Sequence, residues 1–138
     1  MKTYRFSISM TVRSSDLNYA NHVGYQNFFS FFQEARIRYL DQFQYSEMEI
    51  EGYGMIVGEA NCKYKRELFL NDAIAVACGI TEFKSKCFIM GYQLSRDNTL
   101  CAEGFTKNYC YDYLTKRVMR PPEAFVQTIT AFEALLSS

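Results

Sequence analysis

Along the first dozen residues apolar and polar side chains alternate, with Tyr4, Phe6, Ile8, Met10 and Val12 set against Arg5, Ser7, Ser9 and Thr11. A period of two predicts a half-buried strand over Tyr4 to Val12. The polar stretch Arg13 to Gln26 reads as a loop. The period then changes. From Asn27 onward Phe28, Phe32, Ala35, Tyr39 and Phe43 recur at three- and four-residue steps, and Phe29, Phe31 and Leu40 widen the stripe. No proline or glycine interrupts it, so the pattern predicts a helix of about four turns, buried over much of its surface. Ser46 to Gly52 reads as a short helical turn ended by glycine.

The second half is strand territory. Met55 to Tyr64, Ala73 to Phe83, Lys86 to Arg96 and Leu100 to Tyr113 are rich in β-branched, aromatic and small residues. Turn signals stand at Asn71-Asp72, Lys84-Ser85 and Asp97-Asn98. Short connections between long strands predict antiparallel neighbours. Arg120-Pro121-Pro122-Glu123 breaks the pattern, and Ala124 to Leu136 predicts a terminal helix. With no repeat and no linker-like segment, residues 1–138 read as a single α+β domain.

Composition narrows the function classes. A chain of 138 residues with 49% hydrophobic content can bury one good core and is too short for two. The 12 Phe and 11 Tyr require an interior, or an apolar tunnel, that takes large flat rings. Fifteen basic and fifteen acidic residues leave no net charge and no basic run, which argues against nucleic acid as the main partner. No stretch reaches the apolar length of a membrane span, and Met1 to Arg5 is not followed by a signal-peptide apolar segment. A soluble, cytoplasmic protein is expected. Cys62, Cys78, Cys87, Cys101 and Cys110 are odd in number, widely spaced and never in a C-x-x-C pair, so they read as small buried hydrophobes in a reducing compartment. With one histidine and no clustered cysteines, no metal site is expected.

Candidate chemistry concentrates in Asp16-Leu17-Asn18-Tyr19-Ala20-Asn21-His22-Val23-Gly24-Tyr25. An acid, an amide and the only histidine share one short loop at the mouth of the aromatic helix, where exposed backbone N–H groups can hold a developing negative charge. Each also has a plain structural role open to it: Asp16 as a capping acid, Asn18 as a turn residue, His22 as a satisfied histidine. The register from Val12-Arg13 through Asp16, Asn18 and His22-Val23 to Phe28-Phe29 and Gln33-Glu34-Ala35-Arg36 resembles the opening of the hotdog-fold acyl thioesterases of the 4-hydroxybenzoyl-CoA and acyl-carrier-protein types. Their pattern reads roughly V-R-W-x-D-x-D-x-x-x-H-V-N-N, followed by a helix ending in E-E-A-R. Val57-Gly58-Glu59-Ala60, with Tyr64 after it, is similar to the strand that follows in that family.

The resemblance implies a hotdog fold, an antiparallel sheet wrapped around a long central helix, and hydrolysis of an acyl thioester of CoA or acyl carrier protein without a further cofactor. It also implies a homodimer or homotetramer. A thioester carbonyl needs a base or nucleophile, donors for the oxyanion and a wall against bulk water. Asp16 is expected to supply the first, with His22 orienting, and N–H groups near Gly24 to Asn27 the second. The helix face with Phe28 supplies the third, beside Gly24 and Tyr25 as substrate contacts, and favours an apolar acyl group. The chain departs from the family in three places: its second acid falls on Asn18, its tryptophan on Ser14 and its paired asparagines on Gly24-Tyr25. Asn18 is therefore recast as an orienting amide, and Glu59 or Glu34 stands as an alternative carboxylate. Lys63, Lys65, Arg66 and Lys84 are candidates for phosphate. Two other readings remain. Asp16-Leu17-Asn18 with His22 imitates the D-x-N-P-x-H of enoyl-thioester hydratases, without the proline and with the histidine one residue too far. The lost acid at Asn18 also allows a binder that does not turn over.

Overall fold

Strands β1 (Phe6–Thr11), β2 (Gly54–Tyr64), β3 (Ala73–Phe83), β4 (Cys87–Arg96), β5 (Thr99–Asp112) and β6 (Arg117–Met119) form one sheet, with helix α1 (Tyr25–Asp41) after β1 and helix α2 (Glu123–Glu133) after β6. The computed structural model describes residues 3–135. Every strand pair is antiparallel, in the order β1-β3-β4-β5-β2 with β6 on β5. The expected antiparallel α+β arrangement is present.

Strand order explains why a helix is inserted where it is. β3, β4 and β5 follow one another through tight turns. At the last of these, Asp97 and Asn98 take left-handed φ values of 51° and 61°, a conformation that short polar side chains tolerate in a hairpin. Edge strands β1 and β2, by contrast, are separated by antiparallel steps that leave them running in the same direction. A chain leaving one and entering the other needs a crossover, and α1 is that crossover. It lies against β1, β2 and β3 and turns Phe28, Phe31, Phe32, Ala35, Tyr39 and Leu40 into the core. Phe28, Phe31 and Phe32 are at most 4% exposed, so most of the helix's phenylalanine is packing. A helix lying on a sheet must bury its apolar stripe.

Four further differences from the sequence reading have local causes. α1 begins at Tyr25, two residues earlier than Asn27, because Gly24 is extended and the first helical residues need no intrahelical acceptor for their N–H groups. It ends at Asp41, before Phe43, as Gln44 turns left-handed at φ 64°. Ser46 to Gly52 is two successive tight turns and no helix; Glu51 and Gly52 both have positive φ, and Ile50 pairs with Tyr53. Finally, β6 was not foreseen. The Asp112 carboxylate accepts the Leu114 N–H at 2.9 Å and Lys116 takes φ 58°, which folds Arg117 back onto β5. Helix α2 stops at Glu133 with Ala134 left-handed, and the expected terminus at Leu136 lies outside the described residues. Cys78, Cys87, Cys101 and Cys110 are buried and Cys62 half-buried, all as free thiols. No helix among the described residues is long and apolar enough to cross a membrane.

Candidate active site

The loop between β1 and α1 is held by its own polar groups. A short 3₁₀ turn, Ser14–Asp16, opens it, and the buried Asp16 carboxylate accepts the Arg13 N–H at 2.8 Å while the Arg13 guanidinium lies 3.5 Å away. The Asp16 carbonyl accepts from the Asn27 side chain at 3.0 Å, tying the turn to the first turn of α1. Asn18 spends its carboxamide oxygen on the Ala20 N–H at 2.9 Å, and its own N–H reaches the His22 carbonyl at 2.8 Å. This is an Asx turn. Asn21, at φ 65°, reverses the chain so that Leu17 pairs with Val23.

His22 leaves this loop toward a distant part of the chain. It bridges to Phe69, and Val23 donates to the Leu68 carbonyl at 2.9 Å. The imidazole Nε2 thereby lies 3.8 Å from Glu67 Oε1, with the His22 side chain 30% exposed. His22, Tyr25, Phe28, Tyr64, Arg66 and Glu67 line a cavity of about 230 Å³ at the N-terminal end of α1. Gly24 caps that helix without a side chain, so no side-chain acceptor covers its first amides. Tyr64 donates its hydroxyl to the Tyr25 carbonyl at 3.1 Å. Burial, with the Cys62 thiol beside it, raises that phenol to about 12, so it stays a donor. Burial likewise pushes the Cys62 thiol up to about 11.

The three carboxylates proposed from sequence sit elsewhere. Asp16 borders a separate groove of about 470 Å³ between β1 and α1, with Ser30, Glu34 and Arg38. Glu34 pairs there with Arg38 at 3.1 Å. Glu59 is exposed on edge strand β2, just past a bulge at Gly58 and opposite Lys107. The fold therefore brings His22, Tyr25 and Phe28 together and leaves Asp16 and Glu59 off the wall of that cavity. Glu67 and Tyr64 were missed as site residues: Tyr64 stood in the family-like strand pattern with no role given to it, and nothing local marks Glu67, which joins the site through the His22–Phe69 bridge. Lys65 and Arg66 also border the cavity, Lys65 paired with Glu103 at 3.8 Å.

Behind the site, α1 is fixed by one buried polar knot. Arg36, from Glu34-Ala35-Arg36, donates Nε to Glu47 at 2.7 Å and Nη1 to the Tyr92 hydroxyl at 3.0 Å, and Tyr92 shares a 2.8 Å bond with Thr106.

A model of the thioesterase-like superfamily matches residues 12–129, which contain the loop, α1 and strands β2 to β6. The chain belongs to that superfamily. It is 31% identical over 88 residues to a protein of Aquifex aeolicus (strain VF5) named as a candidate esterase, spanning 62% of this chain and 69% of that protein. Among solved structures it is similar to a thioesterase of Thermus thermophilus complexed with coenzyme A and Zn (TM-score 0.85, 22% identity, 99% of this chain and 100% of the other). A hypothetical protein of Staphylococcus aureus solved with CoA superposes equally well (TM-score 0.85, 22% identity, 100% of this chain and 90% of the other). Among the described residues of this superfamily member, no three His, Cys, Asp or Glu side chains converge to hold a metal ion.

Proposed function

We propose that this superfamily member adopts the hotdog arrangement and hydrolyses acyl thioesters, with CoA or acyl carrier protein as the thiol. The observation that carries the reading is the His22–Glu67 pair, 3.8 Å apart, on the wall of a cavity at the uncapped N-terminus of α1. Imidazole is the side chain suited to act as a general base, and the Glu67 carboxylate stands beside it. His22 takes a proton from water as the water oxygen attacks the thioester carbon. The carbonyl oxygen gathers charge against the first amides of α1. Collapse breaks the carbon–sulfur bond, and the imidazolium returns its proton to the departing thiolate, leaving free acid and thiol. Asp16, committed to Arg13, positions the loop. The two CoA complexes among the structural relatives support a CoA thioester as substrate.

The same reading includes a second copy of the chain. Among the described residues β2 pairs only with β5, and Ile56 and Val57 on it are 41% and 42% exposed. Such an edge is usually paired or covered. A β2–β2 contact would bring Glu59 to the subunit junction, and light scattering that finds a monomer at micromolar concentration removes it. The free thiols fit a reducing compartment such as the cytoplasm.

The deciding experiment is thiol release across a panel of acyl-CoAs, corrected for the protein's own five cysteines. His22→Ala should lower kcat about a hundredfold or more, the usual scale for a general base. Glu67→Gln should cost less. Unchanged turnover in His22→Ala refutes the mechanism. A wild-type protein that binds acyl-CoA and releases no thiol makes it a binder, the reading that the missing acid at Asn18 favours.

A further inference from the structure

Behind the His22 cavity, at the end of β4, stands an anchor that takes no part in the proton transfer itself. Arg96 spends one nitrogen, Nη1, on two acceptors: the Asp72 carboxylate at 2.7 Å and the Glu67 backbone carbonyl at 2.9 Å. The same Asp72 oxygen, Oδ2, accepts the Phe69 N–H at 2.8 Å. Between them the Leu68 carbonyl accepts the Val23 N–H at 2.9 Å, and the Leu68 side chain is fully buried. Upstream, the Lys65 and Arg66 N–H groups both donate to the Cys101 carbonyl, at 2.8 and 3.1 Å. Every residue from Lys65 to Phe69 is thus tied through its backbone, and at Glu67 the tie is Arg96. Both holders belong to the sheet. Arg96 is the last residue of β4, and Asp72, just before β3, accepts the Val12 N–H on its own carbonyl at 2.9 Å.

The tie matters because the Glu67 side chain is not held by itself. It is 65% exposed, and its Oε1 lies 3.8 Å from His22 Nε2, beyond hydrogen-bond length. Among the described residues the Glu67 carboxylate makes no hydrogen bond, so its place beside the imidazole follows from where its backbone is fixed. The Arg96 and Asp72 side chains, at 25% and 23% exposed, are better shielded than the carboxylate they serve.

We infer that Arg96 is a positioning residue for the His22–Glu67 pair: by holding the Glu67 carbonyl with a nitrogen that Asp72 orients, it keeps the Glu67 carboxylate beside the imidazole. The inference rests on the reading of that pair given above. His22 is the only histidine in the chain, so its ring C–H resonances stand alone in a proton NMR spectrum. Spectra at one fixed pH and thiol release are compared for wild type, Arg96→Met, Glu67→Gln and the double variant, with urea midpoints beside them. Glu67→Gln removes the neighbouring charge and should move the His22 resonance. Arg96→Met should move it in the same direction. It should also lower kcat about tenfold with KM within about threefold, inside the loss that a misplacement of about 1 Å can cause. In the Glu67→Gln background Arg96→Met should add little to either readout, because residues that act through one another are not additive. A plain brace of the loop predicts additive losses instead. If Arg96→Met does not fold, Arg96→Gln, polar and too short to reach both acceptors, takes its place with the same expectations. A His22 resonance that stays put in Glu67→Gln or in the folded Arg96 variant, one that moves oppositely in the two, or a kcat loss that persists at full size in the double variant overturns the inference. If the resonance moves as expected and no acyl-CoA is cleaved, hydrolysis is the reading that fails and the role of Arg96 stands.

Discussion

Deleting the carboxylate of Glu47 asks whether α1, and with it the floor of the candidate site, is seated by charge or by apolar packing alone. The Arg36 side chain is 7% exposed and that of Glu47 23%, with 2.7 Å between Nε and Oε2. Burial by itself would lower the pKa of Arg36; Tyr92 and Glu47 outweigh it and raise the value above the ordinary one. The folded state thus favours the charged guanidinium. Removing one partner of a fully buried pair costs about 3–5 kcal/mol. Water reaches part of Glu47, and Arg36 keeps its 3.0 Å bond to Tyr92, so Glu47→Ala should cost about 2–3 kcal/mol. In a chain of this size that is a fall in Tm of about 8–12 °C. The internal control is Glu34–Arg38, a 3.1 Å pair whose side chains are 41% and 60% exposed. Glu34→Ala should cost no more than about 1 kcal/mol. Urea denaturation with constant m value reads both, and the double change Arg36→Met with Glu47→Met should recover much of the loss. If Glu47→Ala lies within about 0.5 kcal/mol of wild type, the knot is dispensable. The Phe32–Tyr92 stack, at 4.7 Å and 9°, would then seat the helix with the apolar stripe alone.

Three other outcomes follow from particular contacts. A Cβ on Gly104 would lie 2.0 Å from the Asn61 carbonyl oxygen, so Gly104→Ala must push β2 off β5 and should cost about 1–3 kcal/mol or more; an unchanged urea midpoint refutes that close approach. Burial raises Cys78 and Cys110 from 9.0 to about 12, so the folded state holds protons that the unfolded chain loses, and stability must fall as pH rises above 9. The loss should reach about 1.4 kcal/mol per thiol at pH 10, and a urea midpoint that stays flat from pH 7.5 to 10 contradicts it. Asp16→Ala removes the acceptor of the Arg13 N–H and should cost about 1 kcal/mol while lowering turnover less than His22→Ala does. If Asp16→Asn folds normally and abolishes turnover, Asp16 is the base.

Much of the fold was legible in the chain because the period of a segment is a local property. Alternation over Tyr4 to Val12 and the three-and-four stripe from Phe28 to Tyr39 each record which side of an element meets apolar surroundings, and both elements formed within two residues or so of their predicted bounds. The left-handed turn at Asp97-Asn98 is likewise written in two adjacent residues. The motif loop marked the family, and His22 from it shares a cavity with Tyr25 and Phe28 of α1. Tertiary structure decided the rest. Asp16 and His22 are neighbours in sequence and border different cavities, because the Asn18 turn and the His22–Phe69 bridge send them to opposite sides of α1's start. Glu67 and Tyr64 reach His22 only because β1 and β2 became the two edges of the sheet, with the chain after β2 crossing back to the loop. Which strands are edges depends on pairings between residues far apart along the chain. No window of sequence contains both partners of such a pair.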